Sequence, residues 1–285
     1  MAILLKGADV VAKLSERMAQ DMEALGSKGI TPTLAILRVG DRPDDVSYEK
    51  GAMKRCEAAG VVVRSVVLPQ DVKQDAILRS VAELNEDGAI HGVLIFRPLP
   101  RHLDEAAVCA ALDPCKDIDG ITEGSLAGVF TGSGKGYPPC TAQACMEILD
   151  HFGIDCKGKR AAVVGRSLVV GKPAAMMLMD RHATVTVCHT RTVDLPSVTR
   201  DAEIIIVAAG KMESLTGEYF SPGQTVIDVG INWNEAKAKL CGDVKFDEAE
   251  PIVGSITPVP GGVGTVTTSV LVSHVVEAAK RKAGI

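Results

Sequence analysis

The residues Val163-Val164-Gly165-Arg166-Ser167-Leu168-Val169-Val170-Gly171-Lys172-Pro173 stand where an apolar run gives way to a helix-forming segment. A strand that ends in glycine and turns into a helix offers unpaired N–H groups to an anion, and glycines let backbone approach a diphosphate. Pro173 suits the first helical turn. The spacing is Gly-x5-Gly rather than the fingerprint G-x-G-x-x-G, and an ordinary tight strand-to-helix turn fits it as well. After the next apolar run, Val185-Thr186-Val187-Cys188, the chain reads His189-Thr190-Arg191-Thr192, with no carboxylate until Asp194. A carboxylate there would hold a ribose hydroxyl, whereas hydroxyls and cations receive a 2′-phosphate, so Arg166 and Arg191 favour NADP over NAD. A solvated loop charge is the alternative for Arg191. Cys140 and Cys145 have four residues between them, but no second Cys or His pair completes a tetrahedral set, so no metal is expected.

The elements that must position these groups alternate between apolar runs and helix-period segments, the pattern of βαβ units and a mostly parallel sheet. Strands are expected at Thr33 to Val39, Val61 to Leu68 and Gly92 to Phe96, with helices at Val46 to Gly60, Gln74 to Glu86 and Asp104 to Leu112. Asp113 to Pro139, rich in Gly, Ser, Lys and Pro, reads as a long irregular stretch of the kind that carries function. A helix over Thr141 to Phe152, with Thr141 as N-cap, opens a second series of strands at Arg160 to Val164, Thr184 to Cys188, Glu203 to Ala208 and Gln224 to Val229. A helix over Val266 to Lys282 ends the chain, basic at its end as the helix dipole favours.

The whole composition agrees. In 285 residues, 46% are hydrophobic and 24% charged, with a net charge of −5, which suits a globular α/β protein and argues against nucleic-acid or anionic-membrane binding. Aromatics are only 3%, too few for a single-strand stacking surface. Eight scattered cysteines suit free thiols in a reducing compartment. No apolar run reaches membrane length and Met1 to Lys13 is unlike a leader, so a cytoplasmic protein is expected.

Several strings, in this order, resemble the methylenetetrahydrofolate dehydrogenase/cyclohydrolase family over nearly the whole chain: Val39-Gly40-Asp41 with Ser47-Tyr48, Pro98-Leu99-Pro100, Lys116-Asp117-Ile118-Asp119-Gly120, Pro139-Cys140-Thr141, Gly165-Arg166-Ser167, Asp228-Val229-Gly230-Ile231-Asn232 and Thr257 to Gly264. The resemblance implies two α/β domains, residues 1–140 plus 270–285 for folate and 141–269 for NADP in a Rossmann-like fold, with an active-site cleft between them. It implies a homodimer acting on tetrahydrofolate derivatives, oxidising 5,10-methylenetetrahydrofolate to the methenyl form and, in most members, hydrolysing that to 10-formyltetrahydrofolate. Tyr48 would then line the folate site and Asp119 would bind the pterin, since a carboxylate can accept two N–H bonds from an aminopyrimidine edge; an Asp capping a turn before Gly120 is the plainer reading. Pro260, Gly261 and Gly262 would bring backbone close to the ligands, and Thr141, Gly165, Arg166, Ser167, Thr190 and Ile231 would contact the cofactor.

Two positions depart from the family in residues that matter to the chemistry, with smaller differences at Ser125, Ala142 and Thr265-Val266. Ala52 stands where it has a lysine, four residues after the tyrosine, and Phe96 where glutamine is usual. On a helix Lys50 and Lys54 project roughly 160° and 120° away from Tyr48. Hydride transfer from the methylene carbon needs proximity and orientation but no proton acceptor, whereas hydrolysis of the methenyl cation needs proton removal and delivery. The expectation is therefore an NADP-dependent dehydrogenase with weak or absent cyclohydrolase activity. The rivals are a full bifunctional enzyme in which Lys50 or Lys54 reaches in through a helix distorted at Gly51, a catalytically silent folate- or NADP-binding protein, and a dehydrogenase for an unrelated small acid.

Overall fold

Apolar stretches such as Thr33–Val39, buried along nearly their whole length, can only be interior strands of a parallel sheet covered on both faces. The computed structural model describes residues 1–285. Its first half runs β1 (Ile3–Leu4), α1 (Gly7–Ser27), β2 (Thr33–Val39), α2 (Pro43–Ala58), β3 (Val62–Leu68), α3 (Gln74–Glu86), β4 (Gly92–Ile95), α4 (Glu105–Ala111) and α5 (Glu123–Thr131). The second half runs α6 (Cys140–His151), β5 (Arg160–Val164), α7 (Gly171–Asp180), β6 (Thr184–Cys188), α8 (Leu195–Asp201), β7 (Ile204–Val207), β8 (Thr225–Asp228), β9 (Asn232–Asn234), β10 (Lys239–Cys241), α9 (Phe246–Ala249), β11 (Ser255–Ile256) and α10 (Val263–Ala283).

The chain divides into two units, Leu14–Cys140 with Thr268–Ile285, and Met1–Lys13 with Thr141–Thr267. In the first, three parallel strands lie in the order β3-β2-β4, and Leu37 pairs with Ile95 while Val39 pairs with Leu68. Gly40 and Phe96 consequently leave the sheet at its carboxyl edge. The core beneath joins Leu37, Val39, Ile77, Val81, Val93, Ile95 and Val108. In the second unit the order is β1-β11-β8-β7-β5-β6, every pairing parallel, over a core that includes Ala162, Val164, Ile205, Val207 and Val226. Strand order reverses at β5, which has β6 on one side and β7 on the other. Such a switch point opens a crevice at the carboxyl ends of the strands.

Several boundaries differ from the sequence reading. The first thirteen residues cluster with 141–267, because β1 pairs in parallel with β11. The stretch 113–139 is not irregular throughout: the Thr122 hydroxyl accepts the Ser125 N–H at 3.0 Å and Gly132, at φ 64°, closes α5. Thr141 is not an N-cap, since α6 already begins at Cys140. The helix carrying Tyr48 starts at Pro43, and α10 starts at Val263. An additional helix, α1, buries Val10, Leu14, Met18 and Leu25 along one stripe.

Candidate functional site

In the unit built on β2, β3 and β4, helix α2 presents Tyr48 and, one turn on, Ala52. Its placement is fixed by Glu49, whose buried carboxylate accepts from Arg38 Nε at 2.6 Å and from Ser65 Oγ at 2.5 Å, tying α2 to β2 and β3. The helix passes through Gly51 without a break, and Lys50 and Lys54 are exposed. The distorted-helix route for either lysine is therefore not present. Ala52 is 1% exposed, and the buried Phe96 ring stands edge-on to Tyr48 with centroids 5.6 Å apart. A methyl and a phenyl ring thus occupy the two positions where the sequence reading expects a family lysine and glutamine to be missing. The half-exposed Tyr48 ring carries its hydroxyl to the Thr268 side chain, and burial, followed by the Asp119 charge, pushes it up to about 12.

The turn chemistry of Asp117-Ile118-Asp119-Gly120 falls to the first aspartate. Asp117 is fully buried and accepts the N–H groups of Ile121 at 3.0 Å and Thr122 at 2.8 Å. This leaves the Asp119 carboxyl for other partners. Gly120 adopts φ 68°, and a Cβ there would lie 2.4 Å from Pro139 N, so only glycine lets the two loops meet. That approach brings the Cys140 thiol to the Asp119 carboxyl and within 3.3 Å of the Ile118 carbonyl. His274 Nδ1–H donates to the same carbonyl at 2.8 Å. Burial pushes Asp119 up to about 6, against the pull of Arg97 and the Cys140 hydrogen bond. Burial and Asp119 raise the Cys140 thiol well above its ordinary range, so it stays a protonated donor. Cys140, Thr268 and His274 went unread as site residues; only Cys140 lay in a quoted string.

In the other unit, Gly165 ends β5 at φ 129°, where a Cβ would sit 2.2 Å from the Ala208 carbonyl oxygen that follows β7. A Cβ on Gly171 would sit 2.2 Å from the Gly165 carbonyl oxygen. Both glycines are thus required for the strand-to-helix turn to close at the switch point. Ser167 Oγ accepts the Val170 N–H at 3.1 Å, shaping the loop, and Arg166 and Ser167 are exposed. Val164 pairs with Cys188, and the Gly165 N–H reaches the Cys188 carbonyl at 2.9 Å, which puts the segment after β6 alongside this turn. There Thr190 and Arg191 are exposed, with the Arg191 N–H held by His189 Nδ1 at 3.1 Å. The nearest downstream carboxylate, Asp194, instead caps α8 by accepting the Ser197 N–H.

Ile231, Pro260, Gly261 and Gly262 border one cavity of about 190 Å³ in the same unit. It is braced by Asp228, which sequence reasoning did not single out. Its two buried oxygens accept from the N–H groups of Gly230, Asp243 and Val244 at 2.9, 3.1 and 2.9 Å. Thr141 is not among the residues lining that cavity; it lies in the first turn of α6, its carbonyl 3.3 Å from the Cys145 thiol.

Residues 5–119 match the family model for the tetrahydrofolate dehydrogenase/cyclohydrolase catalytic domain, and residues 139–283 match that for its NAD(P)-binding domain. The bifunctional protein FolD of Carboxydothermus hydrogenoformans is 48% identical over 98% of this chain and 97% of its own. That of Clostridioides difficile is 43% identical, with 97% and 96% covered. Among solved structures, the bifunctional FolD of Campylobacter jejuni superposes with a TM-score of 0.95 at 38% identity, over 99% of this chain and 100% of that one. The Trypanosoma brucei enzyme, complexed with NADP cofactor and inhibitor, gives 0.90 at 34% identity, over 100% and 99%.

Proposed function

The chain belongs to the tetrahydrofolate dehydrogenase/cyclohydrolase family, and from that premise we propose that it oxidises 5,10-methylenetetrahydrofolate to the 5,10-methenyl form with NADP, while hydrolysing that product weakly or not at all. The observation that carries the second clause is the buried pair Ala52 and Phe96 beside Tyr48. The relatives are named bifunctional, so the proposal is that this chain keeps one reaction of the two. Assembly as a homodimer belongs to the same reading.

The nucleotide fits the turn at Gly165, where two glycines stand at positions that a Cβ would close. Its diphosphate would meet the backbone of Gly165 to Ser167 and the start of α7, and its 2′-phosphate would meet Arg166, Thr190 and Arg191. When bound, it supplies the acceptor for a hydride. The chain's own part is orientation. Asp119, mostly ionised at neutral pH with its carboxyl at about 6, accepts from the aminopyrimidine edge of the pterin, and Cys140 and Gly120 hold it in place. Tyr48 stacks or hydrogen-bonds at the reacting end of the folate, steadied by Phe96 and Thr268.

Hydrolysis makes a demand these groups do not meet. Water adding to the methenyl carbon must lose a proton, and the C–N bond that breaks must gain one; a positioned acid–base group contributes about 10²- to 10⁴-fold to such steps. Tyr48 is held near 12 and stays neutral. Asp119 is engaged with the pterin, and Lys50 and Lys54 face solvent. The test is a time course with methylenetetrahydrofolate and NADP⁺, following NADPH and methenyltetrahydrofolate separately beside an enzyme-free control. Matching yields of the two, with the methenyl form decaying at the control rate, are expected. Faster decay would restore the bifunctional reading, and absence of NADPH would leave a silent binding protein.

A further inference from the structure

Phe96 and Gly40 mark the carboxyl edge of the sheet β3-β2-β4; its amino edge borders a second cavity with different chemistry. His91 immediately precedes β4, so it lies five positions, about 16 Å of strand, before Phe96. The cavity holds about 420 Å³ and is lined by His91, Lys116, Lys135, Arg281 and Lys282, with no carboxylate among its walls. Four separate chain segments supply these five groups. A volume of this size accommodates a small organic ligand or a short polyphosphate.

Part of this charge has structural work. Lys116 Nζ donates to the carbonyls of Leu84 and Asp87 at 2.7 and 2.8 Å, and Lys282 Nζ donates to that of Gly88, so both cap the end of α3. Arg281 lies 4.5 Å over the Tyr137 ring, donates to the Gly134 and Gly136 carbonyls, and pairs through Nε with Glu277 on its own helix at 3.1 Å. Capping explains where these cations are anchored. It does not explain the exposed Lys135 on the same cavity, nor the histidine set among them. His91 is nine-tenths buried, and its Nδ1 accepts the Thr33 N–H at 3.1 Å, which places the ring proton on Nε2.

We propose that this cavity binds a small phosphate-bearing anion, at a site separate from the residues assigned to folate and to NADP. The cations already repel one another across the cavity. Lys116 is lowered by burial and by Lys282, more than Asp87 and Asp113 raise it, and His91 is lowered by burial and then by Lys282 and Lys116. A phosphate among them removes that repulsion and accepts from Nε2–H of His91 and from the ammonium protons that the carbonyls leave over. Ile90 and Ala278 leave the rest of the wall apolar, room for the body of a phosphate ester.

The test is calorimetric titration of the full chain with inorganic pyrophosphate and with phenyl phosphate at low salt, NADP⁺ being present in excess to fill the Gly165 turn. One anion per chain is expected, bound about tenfold or more weakly by Lys135→Glu and unaltered in Arg166→Ala, with Lys135→Glu keeping full dehydrogenase activity. Tighter phenyl phosphate identifies an ester as the ligand, and tighter pyrophosphate a free polyphosphate. In parallel, the His91 ring proton signal, assigned by its loss in His91→Asn, should titrate at higher pH when pyrophosphate is bound. The proposal is overturned if neither anion binds, if Lys135→Glu binds as well as the parent, if binding is lost in Arg166→Ala, or if His91 titrates unchanged.

Discussion

At position 52 a methyl group lies one helical turn from Tyr48, walled from solvent, and the buried Phe96 ring stands edge-on to the same Tyr48. Ala52→Lys alone would push a four-carbon ammonium stem into a packed, desolvated spot, at a cost of about 1–3 kcal/mol for overpacking, with its pKa depressed as well. Phe96→Gln shortens the side chain neighbouring Tyr48 and offers an amide as a hydrogen-bond partner. The double variant should therefore hydrolyse methenyltetrahydrofolate about 10²-fold or more faster than the parent, the single variant should gain less, and both should keep NADPH formation. Methenyl decay under matched conditions measures this, and a double variant no faster than the parent would mean that position 52 does not limit hydrolysis. The expectation at position 52 could be read locally, because the position lies four residues after Tyr48. Which aspartate serves the turn could not: Asp117 is held by the N–H groups of its own turn, whereas the hydrogen-bond partner of Asp119, the Cys140 thiol, comes from another element.

At the scale of elements, the legible parts are those whose patterns are local. Thr33–Val39, Gln74–Glu86, Arg160–Val164 and Thr184–Cys188 end where their apolar or helical patterns end. Helix α5 was hidden because Glu123–Thr131 contains two glycines, Gly124 and Gly128, which weaken helix propensity. The second of them is required by contact: a Cβ on Gly128 would run into the Lys135 carbonyl. Strands β1 and β11, two residues each, exist only through their pairing. The strand-to-helix turn after β5 was visible as a string, but why it needs glycine at both ends was not, since Gly165 meets Ala208, which lies beyond β7. From this contact, Gly171→Ala should separate α7 from the turn and weaken NADP⁺ binding by about tenfold or more, roughly 1.4 kcal/mol. Folate binding in the other unit should change little. Titration with each ligand separately checks this, and equal losses for both would indicate general misfolding rather than a damaged turn.

Across the whole molecule, the cysteines report how completely both cores are closed. Cys56, Cys109, Cys115 and Cys140 belong to the unit built on β2–β4, and Cys145, Cys156, Cys188 and Cys241 to the other. All eight are free; six are buried, Cys109 is half-buried and Cys115 is exposed. Burial pushes Cys145 up to about 12 and Cys56 to about 11, so these thiols are unreactive for a second reason besides access. No helix is long and apolar enough to cross a membrane, and these buried thiols serve as small hydrophobic side chains in the two interiors. Iodoacetamide should accordingly label Cys115 first and Cys109 more slowly in the native protein. A thiol that needs about 3 kcal/mol of local opening labels about a hundredfold more slowly than an exposed one. The remaining six should react only as the chain unfolds, while reductant should leave the thermal midpoint unchanged because no disulfide contributes to it. Peptide mass spectrometry of timed samples reads each site. Native labelling of Cys145 or Cys140 at the rate of Cys115 would show that the interior around Asp119 and α6 opens readily, and the orienting role given to that packing would fall with it.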